Sequence, residues 1–436
     1  MARRGQPEVS EAGLTARRIG IIATYTLGTT LLLPPVAARG DDTPAKASGL
    51  VTYPRGGPER TGAYPDAQMP DRPTTAWGAG LGSDTGAPVV AGDRLIVGNR
   101  RGALIAVSLK DGTQAWAFFE QGWDVSAAPV VVGDRVYCVS DQGLSAHALA
   151  DGTEVWRKRI EGGAGESSPL VVGELVIAGG YDGFVYALDA RTGEERWKAD
   201  IVKGAPTDPA GFDGAKARIG NNPARPKTAA SDGKSVFISI FDQSRVVALD
   251  LKTGVARWSF QAKGWIAGAP TVGEGKVFVG SQDHKIYALG AETGETAWAF
   301  ETRWRADGDL AYCDGSVFAC AGDGRCYRIE ARTGRKVWEY ETEVGPDKKH
   351  YFLSAAPLVD ATAVYFGSWD GYLYALNRKD GTLKWRHRPH VNGEHVGAPV
   401  TDGKRLYVPL TPLFDYVNQR DKEGVHGIAA IGSAEK

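Results

Sequence analysis

Residues 185–197 read Val-Tyr-Ala-Leu-Asp-Ala-Arg-Thr-Gly-Glu-Glu-Arg-Trp, and residues 286–298 read Ile-Tyr-Ala-Leu-Gly-Ala-Glu-Thr-Gly-Glu-Thr-Ala-Trp. Both end in a Thr-Gly pair with a tryptophan four residues after the glycine. Variants of this phrase recur along the chain, with spacings of 40, 41, 61, 40, 40 and 47 residues between Trp116, Trp156, Trp197, Trp258, Trp298, Trp338 and Trp385. A fixed period of about 40 residues is typical of proteins built from one repeated supersecondary unit.

Each unit contains four short apolar runs that alternate with period two and are bounded by turn residues. In the second unit the predicted strands are 128–132, 135–139, 144–149 and 154–157. Such a pattern indicates a four-stranded antiparallel meander. The 57 glycines of the chain then occupy hairpin turns that require positive φ, as in Thr192-Gly193.

Four-stranded units of about 40 residues arranged radially form a β-propeller. Seven full units lie between Ala87 and Trp385, and an eighth begins at Ala398 but ends before its outer strand. We therefore predict an all-β, eight-bladed propeller of four-stranded antiparallel blades within residues 51–432. An outer strand near 74–80 completes the blade at 398–432, which closes the ring and removes exposed sheet edges.

Charge and composition exclude one class of partner. The 436 residues contain 51 Lys and Arg against 52 Asp and Glu, which gives a net charge of −1. A near-neutral chain has no electrostatic footprint for nucleic acid, so we expect none. The expected partner is an unknown protein or a small planar ligand at the propeller face, bound by a monomer.

The N-terminus has the pattern of a targeting segment. Residues 1–38 combine four arginines, an apolar run at 19–33 and small residues before a cleavage site after Ala38, which predicts a signal peptide. An uncleaved anchor, and the Sec or the twin-arginine route, remain alternatives. Residues 39–50 read as a linker. We expect an exported protein, extracellular or in the cell envelope, with no transmembrane domain in the mature chain.

The repeated phrase resembles that of pyrroloquinoline-quinone (PQQ) type eight-bladed propellers, and residues 53–62 are similar to the segment that opens them. The resemblance places the chain in the quinoprotein alcohol dehydrogenase-like superfamily, which also includes the propeller subunit of the outer-membrane barrel-assembly machinery. It implies PQQ with calcium as a cofactor. However, the chain has no adjacent cysteine pair and no Cys-x-x-Cys-His, so we expect no cofactor. No lipid-anchor cysteine precedes Cys138, which weakens the case for a barrel-assembly role.

One face of the predicted ring contains the loops that vary most in length between repeats. If the Ala-Pro strand is innermost, as in the resembling family, then crossovers and second-to-third turns share a face, and the three length insertions all fall there. Counting five residues back from each Ala-Pro position predicts a mouth ring of Ser83, Asp124, Ala164, Ala224, Trp265, Arg305, Phe352 and Glu394. The candidate binding residues are Trp123, Asp124, Glu166, Lys227, Trp265, Trp304, Arg305, His350, Trp369, Glu394 and His395.

Two functions fit this face. We predict a binding or scaffolding module, because no catalytic motif is recognisable in the sequence. The alternative is an enzyme at the channel mouth, either a reduced quinoprotein-type oxidoreductase or an atypical cofactor-free enzyme. A third interpretation, in which the tryptophans only cover adjacent blades and bind nothing, also stays open.

Cysteine and histidine positions suggest little further chemistry. Cys320 and Cys326 flank a symmetric turn and should lie directly opposite on paired strands, either as a cross-strand disulfide or as two buried thiols. Three histidines occur between 387 and 395, but a strand leaving its blade would splay them, so no metal site is expected.

Overall fold

The computed structural model describes residues 51–53, 55–119, 124–125, 127–164, 167–202, 224–306, 308–343, 353, 355–390, 395–412, 414–415, 420–421 and 426–433. The predicted signal peptide and linker, residues 1–50, lie outside the described residues. The described strands form eight antiparallel blades in a ring, which confirms the eight-bladed propeller.

The strand bounds follow the repeat. Two strands precede the first unit: β1 (Val51–Thr52) and β2 (Pro73–Gly80). Blades 1 and 2 contain β3 (Val89–Ala91), β4 (Arg94–Gly98), β5 (Ala103–Ser108), β6 (Gln114–Phe119), β7 (Val130–Val132), β8 (Arg135–Ser140), β9 (Gly143–Ala148) and β10 (Glu154–Arg159). Blades 3 and 4 contain β11 (Leu170–Val172), β12 (Leu175–Gly179), β13 (Phe184–Asp189), β14 (Glu195–Asp200), β15 (Ala230–Ser231), β16 (Ser235–Ile240), β17 (Arg245–Asp250) and β18 (Ala256–Gln261).

The second half repeats the arrangement. Blades 5 and 6 contain β19 (Thr271–Gly273), β20 (Lys276–Ser281), β21 (Lys285–Gly290), β22 (Thr296–Glu301), β23 (Ala311–Cys313), β24 (Ser316–Cys320), β25 (Arg325–Glu330) and β26 (Lys336–Glu341). Blade 7 and the start of blade 8 contain β27 (Leu358–Val359), β28 (Ala363–Gly367), β29 (Leu373–Asn377), β30 (Leu383–His387), β31 (His395–Val396), β32 (Val400–Thr401) and β33 (Leu406–Thr411). A loop hairpin of β34 (Phe414–Asp415) and β35 (Arg420–Asp421) precedes β36 (Gly427–Ser433). A 3-10 turn, Phe241–Gln243, joins β16 to β17.

The N-terminal outer strand closes the ring. β2 pairs with β36 in antiparallel register from Pro73↔Ser433 to Gly80↔Gly427. This confirms the predicted closure of the last blade by the strand near 74–80. In the second unit the predicted strand bounds differ from those of β7 to β10 by no more than two residues.

The repeated tryptophans join neighbouring blades. Each indole Nε1 donates a hydrogen bond of 2.9 to 3.1 Å to a main-chain carbonyl of the next blade or, for Trp385, of the segment before β2. The donors are Trp77, Trp116, Trp156, Trp197, Trp258, Trp298, Trp338 and Trp385, and the acceptors are Leu109, Leu149, Ala190, Leu251, Ala291, Ala331, Arg378 and Pro70. The phrase that decides the fold thus builds each blade and also fastens it to its neighbour.

The hydrophobic core consists of layers between adjacent blades. One such layer joins Phe278 and Ile286 of blade 5 to Val317 and Tyr327 of blade 6, all at most 2% exposed. Burial on both faces explains why the central strands are almost continuously apolar. Among the described residues no helix is long and apolar enough to cross a membrane.

The first part of the segment before β2 runs inside the ring, which the repeat does not reveal. β1 pairs with β7 of blade 2, and Tyr53 donates its hydroxyl to Val171 of blade 3. Main-chain carbonyls of Pro58, Glu59, Thr61 and Gly62 then accept amides from the innermost strands of blades 4, 5, 6 and 7 in turn. Residues 51–53 and 55–64, here named the channel segment, therefore follow the inner wall blade by blade.

Candidate functional site

Strand direction places the crossovers and the second-to-third turns of every blade on one face, because consecutive antiparallel strands alternate. We call this the crossover face. Main-chain amides of crossovers bond to turn aspartates there, as Lys263 does to Asp283 and Arg303 to Asp323. These two crossovers are thereby fixed against a turn of the blade that follows.

Blades 4 and 5 bring two predicted residues together around a third. The Trp265 ring lies 4.9 Å from the ring of Phe241, which begins the 3-10 turn of blade 4. Lys227 Nζ lies 5.1 Å from the same Phe241 ring, and the guanidinium carbon of Arg225 lies 4.7 Å from it. Two cations therefore lie over an aromatic face beside an indole, and one of them, Arg225, also pairs with Asp242 at 3.5 Å. Phe241 and Arg225 were not among the sequence candidates.

Blades 7 and 8 bring together another predicted pair. The rings of Trp369 and His395 stack with centroids 4.0 Å apart and planes at 24°. Burial lowers the pKa of His395 to about 4, although the nearby Asp84 opposes the shift, so this imidazole is neutral near pH 7. Asp84 also forms a 2.8 Å contact with Nδ1 of His426.

Blade 5 contains the third ring pair. The ring of Trp304, in the crossover that leaves this blade, lies 5.2 Å from that of His284 in the second-to-third turn. Trp304 is 53% exposed, which makes it the most accessible of the described candidate tryptophans. The turn–crossover pairs Phe241/Trp265, His284/Trp304 and Trp369/His395 thus repeat one arrangement, and we call them the rim pairs.

The remaining candidates fall into two groups. Among the described ones, the amide of Asp124 bonds to Asp141 and the carbonyl of Arg305 accepts the amide of Gly322. Trp123, Glu166, His350 and Glu394 lie outside the described residues. Ala164 and Ala224 of the predicted mouth ring are fully buried, because they pack into layers between blades, so the ring does not line the opening continuously.

A cavity of about 230 Å³ lies in the channel, where sequence reasoning predicted no site. The alanine of the Ala-Pro phrase lines it in blades 1, 2, 7 and 8, and Ser168, Thr228 and Asp309 occupy the same repeat position in blades 3, 4 and 6. From the channel segment, Arg55 and Arg60 reach this cavity with 6% and 5% exposure. The sequence marks this cavity in one way: Asp309 places a charge where other repeats have the alanine of the Ala-Pro phrase.

A second cavity of about 570 Å³ lies on the other side of the channel segment. It is lined by Gly92 and Gly403, which belong to first-to-second turns, so it lies toward the face opposite the crossovers. The N-terminal segment contributes Thr52, Tyr53, Gly56 and residues 63–67 to its wall.

Comparison with known proteins identifies the family. The PQQ_2 model, described as Outer membrane protein assembly factor BamB, matches residues 67–259 and 242–409. The chain belongs to this family. Quinohemoprotein alcohol dehydrogenase ADH IIB of Pseudomonas putida is 35% identical over 117 residues, which cover 23% of this chain and 15% of that protein. The match therefore spans a small part of the relative's length.

Solved structures share the fold of this PQQ_2 propeller. BamB from Moraxella catarrhalis aligns with a TM-score of 0.60 at 19% identity, over 83% of this chain and 97% of that one. The quinohemoprotein alcohol dehydrogenase ADHIIG of Pseudomonas putida HK5 aligns with a TM-score of 0.67 at 16% identity, over 87% of this chain and 80% of that one. At such identities the likeness shows the PQQ-like propeller architecture alone.

No group of three or more His, Cys, Asp or Glu side chains that could hold a metal occurs among the described residues of this PQQ_2 propeller. The turn aspartates have other partners: the carboxylate of Asp283 accepts the Tyr287 hydroxyl at 2.7 Å as well as the Lys263 amide. The same tyrosine–aspartate contact recurs between Tyr374 and Asp370.

Cys320 and Cys326 pair directly across β24 and β25, as their spacing predicts. Their sulfur atoms lie 3.3 Å apart, and both are free thiols in this structure. Burial raises the pKa of Cys320 well above its ordinary value. The cross-strand disulfide therefore remains a prediction that a chemical test must decide.

Proposed function

We propose that this PQQ_2 propeller is an exported binding or scaffolding protein that uses its crossover face. The observation that carries the proposal is the set of three rim pairs, each joining a crossover ring to a turn ring on that face. Aromatic rings held on a rigid scaffold bind a partner with little loss of side-chain entropy. The exposed Trp304 and the cations around Phe241 add apolar and positive contact area.

The family supports the same proposal. Its model carries the description of an outer membrane protein assembly factor, which is a role in the cell envelope filled through protein contacts. The basic and apolar pattern of residues 1–38 agrees with export to that compartment. We expect a protein partner, and a small planar ligand is the other outcome that the experiment can return.

Site-specific photo-crosslinking in the protein's own host tests the proposal. A photoreactive phenylalanine analogue at position 304 should capture a defined partner, because Trp304 is exposed on the crossover face. The matched control is position 255, where Val255 is 65% exposed directly before the outer strand of blade 4, on the opposite face. The partner should be absent from that control. Equal capture at both positions, or none at position 304, would sink the proposal.

An enzyme of quinoprotein type is the second candidate, and the 35% identity to a quinohemoprotein alcohol dehydrogenase favours it. Titration of the purified protein with PQQ and calcium separates the two. Saturable binding of PQQ with dye-linked alcohol oxidation would show that the protein is an oxidoreductase and would contradict the scaffold proposal. Absence of binding, together with crosslinks at position 304, would support the scaffold.

A further inference from the structure

The channel cavity is built from unusual residues. Two arginines of the channel segment enter it, and their side chains are 7% and 6% exposed. Only Asp309 faces them with opposite charge among the described residues that line the cavity, at 3.3 Å from Arg55 and 3.5 Å from Arg60. Two positive charges against one negative charge leave a surplus of one positive charge in a confined space, which favours a bound anion.

The arginines also have unused donors. Nε of Arg55 and Nε of Arg60 are buried without a hydrogen-bond acceptor among the described residues. Buried guanidinium donors normally find acceptors, so orphaned ones point to a ligand. Burial lowers the pKa of both arginines while Asp309 opposes the shift, so a further negative group would stabilise their charge.

Two hydroxyl groups complete the wall. Ser168 Oγ accepts the amide of Ala128 at 3.0 Å, and Thr228 Oγ1 accepts the amide of Ser168 at 3.0 Å. A hydroxyl that accepts from an amide still has its own proton to donate. Both side chains line the same cavity as the arginines. The cavity therefore combines guanidinium and hydroxyl donors with a wall of alanine and proline.

The backbone is strained to place one of these arginines. Arg60 has φ of 56°, in the left-handed region that side-chain-bearing residues rarely adopt. Gly62 leaves room for the other, because a Cβ there would lie 2.8 Å from Nη2 of Arg55. Glycine would adopt this φ without strain, but position 60 holds an arginine whose side chain lines the cavity.

We propose that this cavity binds one singly charged oxyanion group, a carboxylate or a phosphodiester, through Arg55, Arg60 and the hydroxyls of Ser168 and Thr228. The site goes beyond the proposed function, because it rests on the channel residues and not on the rim pairs. Failure of the crosslinking experiment would leave it in place, and its own failure would leave the scaffold proposal in place.

Calorimetric titration with acetate and with dimethyl phosphate, in low-salt buffer, tests the site. The wild-type protein should bind at least one of the two saturably, and the tighter probe identifies the chemical source. Arg60→Gln should weaken binding at least about tenfold, because it removes a charge that faces the anion. Arg335→Gln is the matched control, since Arg335 is 73% exposed on the outer side of blade 6, and it should change nothing.

Asp309→Asn gives a test that does not depend on removing an arginine. Asparagine keeps an oxygen for the Ala269 amide, which bonds to Asp309 Oδ1 at 2.7 Å, but removes the competing charge. Anion affinity should rise at least about tenfold. The proposal is overturned if neither probe binds wild type or Asp309→Asn, or if Arg60→Gln and Arg335→Gln weaken binding equally. In that case the arginines serve only to latch the channel segment to Asp309.

Discussion

At the scale of single residues, the Thr-Gly glycines meet two demands at once. Gly294 has φ of 73°, and a Cβ there would lie 2.6 Å from the ring of Trp258 in the preceding blade. We expect Gly294→Ala to destabilise the protein by about 2–4 kcal/mol, from backbone strain together with displacement of a packed indole. Chemical denaturation measures this change.

Gly275 in the same blade is the matched control. It has φ of 67°, but a Cβ there would meet nothing within 4 Å. Gly275→Ala should therefore carry only the backbone cost of about 1–2 kcal/mol. Equal losses in the two variants would show that the indole contact adds nothing.

The four cysteines are all buried, which predicts low reactivity. Burial raises the pKa of Cys313 and of Cys320, so little thiolate is present near neutral pH. Iodoacetamide should label none of them in the folded protein within the time that labels a free peptide thiol. Labelling after denaturation without reductant, read by mass spectrometry, then distinguishes a Cys320–Cys326 disulfide from two thiols. Rapid labelling of the native protein would contradict the buried placement.

His395 makes stability depend on pH. Its pKa is about 4 in the fold, mainly through burial, against about 6.5 in an unfolded chain. Between these values the unfolded chain binds a proton that the folded one refuses, so stability falls as pH drops from about 6.5 toward 4. Burial also lowers the pKa of His147, in the same direction.

His395→Gln should therefore flatten the pH dependence by at most one proton, or about 1.4 kcal/mol per pH unit. Denaturation curves at pH 7 and pH 5 measure the difference. A variant with the wild-type slope would show that His395 titrates normally in the fold.

At the scale of elements, the closing strand decides whether the ring behaves as one body. β2 pairs with β36 over its whole length, as β22 pairs with β21 in blade 5. Both are outer strands, so we expect the amides of β2 to exchange with solvent as slowly as those of β22. Hydrogen exchange read by mass spectrometry tests this expectation. Fast exchange confined to β2 would mean that the ring opens at this blade.

At the scale of the whole molecule, the turn aspartates stabilise turns through protein donors. Asp283, Asp323 and Asp370 each accept a tyrosine hydroxyl from the next strand. We therefore expect a chelator to leave the melting temperature of the purified protein unchanged. A clear drop with EDTA that calcium reverses would reveal a structural metal and revive the quinoprotein alternative.

The sequence predicted the blades and part of the candidate site, for reasons visible in particular residues. The spacing of the tryptophans and the period-two alternation encode local structure. Because each repeat makes the same contacts as the one before it, the number of blades and the role of β2 follow from the sequence pattern alone. Trp265, Trp304, Trp369 and His395 were predicted because crossover and turn residues depart from the repeat. Phe241 and His284, their neighbours, were missed because the pairs join positions about twenty residues apart in loops of irregular length.

The amino-acid sequence by itself determined the all-β ring, its blade number and its closure, since each depends on contacts repeated at fixed spacing. Only the tertiary structure showed that residues 51–53 and 55–64 follow the inner wall and bring Arg55 and Arg60 to Asp309, more than 240 residues away in the chain. The physical reason is that this segment occurs once, so no periodicity marks it. Its cations are placed by main-chain hydrogen bonds to successive blades, which exist only when the ring has formed.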